Sequence, residues 1–262
     1  MAWIDRQVPE GDEIFYDHIG YFVPNLETAG AQLEKLGFQV SAINIQYNEN
    51  EAGELIPTGT SNRLAKLNRG FIEVLAATGE SALADQLLAM LARYQGLHVI
   101  ALTHPDMTRT ATRLSDAGID MQDAVNLRRK VMVDSTETLM EFTVARVKPG
   151  TFPEGRLQIL TCHTPENFWL PGDMDHANRA DTLTDLLICV EDVAEATARY
   201  ERFFGKASEK MGGLETLDLA RGRFHFVTLD QAGTMLQGLV APTLPYTCGQ
   251  GLGSQDLTAT RS

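Results

Sequence analysis

One pattern of apolar and polar positions recurs along the chain. A run of strand-type apolar residues meets a polar helix cap, and apolar residues then fall at i, i+3, i+7 and i+10, one stripe of an α-helix. The pattern first occurs in "DHIGYFVPNLETAGAQLEKLGF", residues 17–38, and again in "GLHVIALTHPDMTRTATRLSDAGI", residues 96–119. A third copy is "TDLLICVEDVAEATARYERFFG", residues 184–205. The three stripes are Leu26, Ala29, Leu33 and Leu36; Met107, Thr110, Leu114 and Ala117; and Val193, Ala196, Tyr200 and Phe203. Asn25, Asp106 and Asp192 stand where an N-cap oxygen would accept from the first free N–H groups. Gly37, Gly118 and Gly205 stand where the helices should end.

Strand-type runs fill the intervals. The first unit has "QVSAINIQY", "NRLAKLN" and "GFIEVLAAT", the second "DAVNLRRKVMVD", "TLMEFTVARV" and "RLQILTC", and the third "LETLDLA" and "RFHFVTLD". Each complete unit therefore reads strand, helix, then about three strands, an α+β class of βαβββ modules. The loop near residues 166–181, rich in Gly, Pro, Asn and Asp, separates residues 1–165, two modules, from residues 182–262. The latter hold a third module and, in "LPYTCGQGLGSQDLTATRS", the start of a fourth that stops inside its helix. A third module without a partner would expose an apolar face, so a homodimer is expected.

Composition adds limits. The 262 residues are 44% apolar and carry a net charge of -13, which argues against binding nucleic acid or an anionic membrane. No apolar run is long enough for a membrane span, and the N-terminus has no signal-peptide pattern. Cys162, Cys189 and Cys248 are far apart and form no CxxC, which suggests free thiols in the cytoplasm.

The repeated βαβββ unit opened by "DHIGYFVPNLETA", with "GTSNRLAKLNRGFIEVLA" and "RLQILTCHTPENFW", resembles the vicinal oxygen chelate superfamily. That group includes glyoxalase I, extradiol dioxygenases and bleomycin-resistance proteins, and the chain is most similar to its glyoxalase-like branch. The resemblance implies that modules pair into a cupped mixed sheet with the helices outside. It also implies a divalent metal in the cup, held from the first and last strands of each module.

His18 and His98 head the first strands of units one and two, 7 and 8 residues before their caps. Glu73 lies in the apolar last strand "GFIEVLA", where a carboxylate is costly to bury unless paired or bound to a cation. Two imidazoles and a carboxylate suit Zn, Ni, Fe or Mn. The fourth ligand is open between His163 and Glu141, and Cys162 stands where similar proteins carry a histidine. In unit three Asp185 aligns with His18 and His225 with Glu73, either a second half-site or an inactive copy. Asn62 and Arg63 in "GTSNRL" are candidates to hold a substrate, with Trp169 as a wall; His104 and His176 read as surface residues. The implied activity is a glyoxalase-type lyase or isomerase on a small oxygen-chelating substrate. There the metal acts as Lewis acid and Glu73 or Glu141 as base. The alternatives are a ring-cleaving dioxygenase and a binding protein without catalysis.

Overall fold

The computed structural model describes residues 6–49, 52–133 and 135–261. Unit one comprises β1 (Phe15–Phe22), α1 (Leu26–Lys35), β2 (Asn44–Glu49), β3 (Leu55–Lys66) and β4 (Phe71–Ala77). A helix that the repeat pattern did not announce, α2 (Ala82–Leu91), follows it. Unit two comprises β5 (Gly96–Thr103), α3 (Met107–Asp116), β6 (Val125–Val133), β7 (Thr136–Arg146) and β8 (Arg156–Cys162). The third run is β9 (Ala180–Cys189), α4 (Val193–Phe204), β10 (Glu209–Met211), β11 (Leu214–Asp218), β12 (Arg223–Val227) and α5 (Leu229–Met235). β13 (Tyr246–Ser254) and the short α6 (Leu257–Arg261) come last.

The caps form as the sequence predicts: Asn25, Asp106 and Asp192 accept from Thr28, Arg109 and Glu195 backbone N–H groups. The helix stripes hold less uniformly. Ala196, Tyr200 and Phe203 are all buried, but Leu36 is exposed.

The first sheet has the order β2-β3-β4-β1-β5-β8-β7-β6. β1 and β5 pair antiparallel at the centre, and each runs parallel to the last strand of its own unit. The two modules thus join into one curled sheet. The second sheet, β10-β11-β12-β9-β13, repeats the first five positions of that order, with β13 beside β9 as β5 lies beside β1.

Side chains alternate between the two faces of a strand. On the back face, Ile19, Ile72, Ile100 and Ile159 share one core with Leu186, Ile188, Phe224 and Phe226 of the second sheet. Leu114 of α3 and Tyr200 and Phe203 of α4 belong to the same core. Polar joints add to it. Tyr16 N–H donates to Arg221 O at 2.8 Å and Arg69 N–H to Asp181 O at 3.1 Å, so each sheet's first strand meets the other sheet's turn. His104 and His176 are buried, not surface residues. His176 accepts from Gln39 N–H at 2.9 Å and bonds Lys66 O at 2.6 Å, which pins the connecting loop to the first sheet.

The cup face carries a different occupant. Leu87 of α2 packs on Phe22, Leu75, Val99 and Ala101. Gly20 makes this fit possible, because a Cβ there would lie 2.7 Å from Val99 Cβ. In the second sheet α5 takes the same role, with Ala232 packed on Leu187, Cys189 and Val227. The apolar face expected to stay bare in unit three is therefore covered by its own chain.

Candidate active site in the cup

The inward positions of seven strands follow from period two. β8 contributes Arg156, Gln158 and Leu160; β7 contributes Met140, Phe142, Val144 and Arg146; and β6 contributes Leu127 and Arg129. From unit one come His18, Phe71, Glu73, Asn62, Leu64 and Gln46. Together with Asp17 and Leu83 of α2 they line a cavity of about 90 Å3. One end is apolar, where Leu64, Phe71, Met140, Phe168 and Trp169 cluster.

The polar end is organised around two acids. His18 Nδ1 lies 2.6 Å from Asp17 Oδ1, and both residues are buried. With Asp17 accepting the Nδ1 proton, Nε2 presents its lone pair to the cavity. Nε2 sits 3.9 Å from Glu73 Oε2 and 3.3 Å from Gln158 Nε2. Glu73 accepts from Asn62 Nδ2, and from Gln46 Nε2 at 3.4 Å. Asn62 is itself held by Asn44 at 3.0 Å.

Three arginines face this carboxylate. Burial pulls the guanidinium groups of Arg129 and Arg146 below their ordinary range, and the charge of Glu73 works against the fall. Arg156 is pulled to about 10 by burial and by Arg146, again opposed by Glu73. Among the described residues Arg146 Nε, Arg156 Nε and Gln158 Oε1 are buried without a hydrogen-bond partner. Buried polar groups rarely stay so, since each unmade bond costs about 1–3 kcal/mol.

Of the residues singled out in the sequence, His18, Glu73 and Asn62 line the cup together; His98, expected to converge with His18 and Glu73, and the other candidates do not join them. His98 is stacked between Phe22 and Tyr94 and bonds Tyr94 O through Nε2 at 2.7 Å. It is offset by one from the true counterpart. Val99, not His98, stands 7 residues before its cap, as His18 does. The strand pairing agrees, since Gly20 faces Glu73 and Ala101 faces Gln158, which makes Gln158 the unit-two counterpart of Glu73. Parity explains the rest. Arg63 follows inward Asn62 and turns to α1, bonding Ser41 O and Glu34 at 2.8 Å. Its guanidinium lies over Gly30, where a Cβ would be 2.0 Å from Nη1. Glu141, between inward Met140 and Phe142, pairs with Arg128 at 2.8 Å. His163 reaches Thr143 at 2.8 Å on that same outer side. Trp169 is buried in the apolar cluster beside the cavity.

Sequence reasoning missed Asp17, Gln46, Gln158, Arg129, Arg146 and Arg156. A signal existed in "RLQIL", where Arg156 and Gln158 alternate with Leu157 and Ile159. Polar residues on alternate positions of a strand that is buried on both faces mark a lined cavity.

A divalent metal of the kind expected would find one imidazole nitrogen and one carboxylate here, with valine at the second imidazole's place. Gln158 adds only an amide oxygen. Among the described residues no three His, Cys, Asp or Glu side chains are placed to hold one metal ion; Asp17 is turned to the far nitrogen of His18. Three guanidinium groups around Glu73 would also repel a further dication. The donor set does not fit the metal. In unit three the pair is exchanged and closed on itself: His225 Nε2 meets Asp185 Oδ1 at 2.8 Å, and Arg223 binds the same oxygen at 2.8 Å.

Paired βαβββ modules around a polar cup define a protein of the vicinal oxygen chelate fold. The family model described as a glyoxalase-like domain matches residues 16–204, and the chain belongs to that family. A hypothetical protein from Staphylococcus aureus is similar at 12% identity and a TM-score of 0.62, over 82% of this chain and 86% of that one. Methylmalonyl-CoA epimerase from Mycobacterium tuberculosis aligns at 17% identity and a TM-score of 0.39, over 56% of this chain and 87% of its own. The Streptomyces coelicolor epimerase aligns at 19% and 0.42, over 58% and 99%. Among curated proteins none matches the sequence. No helix among the described residues is long and apolar enough to cross a membrane.

Proposed function

We propose that the cup binds a small organic carboxylate and moves a proton next to its carbonyl group, an isomerase-type reaction. The observation that carries this reading is the pair Arg146 and Arg156, whose buried Nε groups lack partners among the described residues and which line the same cavity as the oriented His18–Asp17 pair. A substrate carboxylate would supply the missing acceptors. In the proposed step His18 Nε2 takes a proton from the carbon alpha to the carbonyl. The C–H electron pair passes to the enolate oxygen, and Asp17 stabilises the resulting imidazolium. Gln158 and the arginines face the developing negative charge. Return of the proton to either face completes the reaction. Glu73, held by Asn62 and Gln46, keeps the arginine cluster in place.

The test is proton exchange in D2O with pyruvate and 2-oxobutyrate as probes, followed by NMR. Exchange at C3 that His18→Gln slows by about 10²–10⁴-fold supports the reading. Binding without exchange would leave a small-molecule binding protein, and no binding would overturn the proposal. Metal dependence, expected from the resemblance, has its own test. With this donor set the purified protein should hold no stoichiometric metal, and chelator should leave exchange unchanged. The homodimer, expected through residues 181–240, has a sheet edge in that range, β10 at the end of the second sheet. A dimer by sedimentation velocity at micromolar concentration would support pairing there, and a monomer would retire it. A cytoplasmic setting is in keeping with three free cysteines.

A further inference from the structure

α2 divides the cup, and beyond it lies a second cavity of about 400 Å3 between α2, the end of β7 and residues 147–157. That volume is in the range of small-molecule sites. Its walls are largely apolar, Phe22 and Met90 among them, yet they also carry Arg93, Arg146, Lys148 and Arg156. Among the described residues no Asp or Glu lines it, although the chain has net charge -13. Two of the cations are engaged at the rim. Lys148 faces Asp120 at 3.8 Å, and Arg93 donates to Pro153 O at 3.3 Å. Arg146 and Arg156 are the two whose Nε groups have no partner among the described residues. Arg156 also sits 5.4 Å above the Phe22 ring, with its charge against the apolar wall.

A neutral apolar ligand would leave these guanidinium groups unsatisfied. A polyanion would bury charge against an apolar wall that offers it nothing. We propose that this slot binds an amphiphilic monoanion, an apolar body ending in one carboxylate, with the carboxylate on Arg146 and Arg156. The same two arginines line the small cup. A ligand in the slot therefore competes with a small carboxylate in the cup for charge, not for space. The proposal does not depend on proton transfer at His18.

The experiment uses octanoate as probe, with octan-1-ol and octylamine as charge controls. Binding is read by displacement of 8-anilinonaphthalene-1-sulfonate. Octanoate should bind at least tenfold more tightly than either control. Met90→Trp, which fills the slot, should weaken octanoate at least tenfold and leave pyruvate binding in the cup intact. A second readout needs no variant that might misfold. With methyl-labelled methionine, the Met90 resonance of the wild-type protein should move on adding octanoate. Equal affinity for octanol would overturn the proposal. So would a shift of Met140, which lines the cup, with Met90 unmoved. Loss of octanoate binding in Met90→Trp with pyruvate exchange retained separates this site from the reaction proposed for the cup.

Discussion

His18 and His98 look alike in the sequence, each at the head of a strand. One residue of offset gives them opposite fates. His18 faces the cup with Asp17 at its back. His98 is packed between two aromatic rings, with Nε2 on Tyr94 O and Nδ1 buried without a partner among the described residues. Burial holds it neutral, pulling it from an ordinary 6.5 to about 4. Between those values the unfolded chain binds a proton that the folded chain does not. Stability contributed by this residue is thus full above pH 6.5 and is lost as pH falls toward 4. The loss is at most about 3 kcal/mol. His98→Gln retains a donor for Tyr94 O but does not titrate. Urea unfolding should show the wild type losing about that much stability relative to the variant from pH 7 to pH 4. Parallel pH curves would mean that His98 is not held neutral. Gly20 gives a steric counterpart. Gly20→Ala places a methyl 2.7 Å from Val99 Cβ and should destabilise by roughly 1–3 kcal/mol. Gly20→Ala with Val99→Ala should recover most of that, read by denaturant midpoints.

At the scale of elements, the repeat was legible because each unit writes its helix twice, once as a cap and once as an apolar stripe. The faces of the strands were less legible. A one-residue slip exchanges inside for outside, and Arg63 beside Asn62, Glu141 beside Met140 and His98 beside Val99 are three cases of it. α2 was missed for a different reason. "ALADQLLAMLARYQ" breaks the repeat, and nothing local says that it enters the cup rather than covering the back. Its position follows from Gly20, which leaves room on β1 for Val99 and Leu75 to receive Leu87. Leu87→Ala should therefore cost about 2–5 kcal/mol, the range for a buried leucine whose site cannot collapse. It should also merge the two cavities, so that octanoate and pyruvate compete for space as well as for charge. A stability loss under 1 kcal/mol in chemical denaturation would mean that α2 rests only lightly on the cup.

At the scale of the molecule, the two sheets meet back to back, and their cup faces point away from each other. The shared core runs without a break from Ile19 and Ile100 to Leu186 and Phe224. A buried ion pair crosses it. Glu154, just before β8, takes both Nη groups of Arg199 on α4 at 2.7 and 2.8 Å and is 1% exposed. Such a pair adds little net stability compared with an apolar replacement, but removing one partner strands the other. Glu154→Ala leaves the Arg199 charge half-compensated by Glu195 on its own helix, at 3.0 Å. The expected loss is about 3–5 kcal/mol. Two domains joined by a linker would unfold in two steps. A continuous core predicts one calorimetric transition for the whole chain, with calorimetric and van't Hoff enthalpies in agreement. Glu154→Ala should lower that single transition and split it, the second sheet melting first because it has five strands against eight. Two transitions in the wild-type protein would show that the back-to-back core does not couple the sheets.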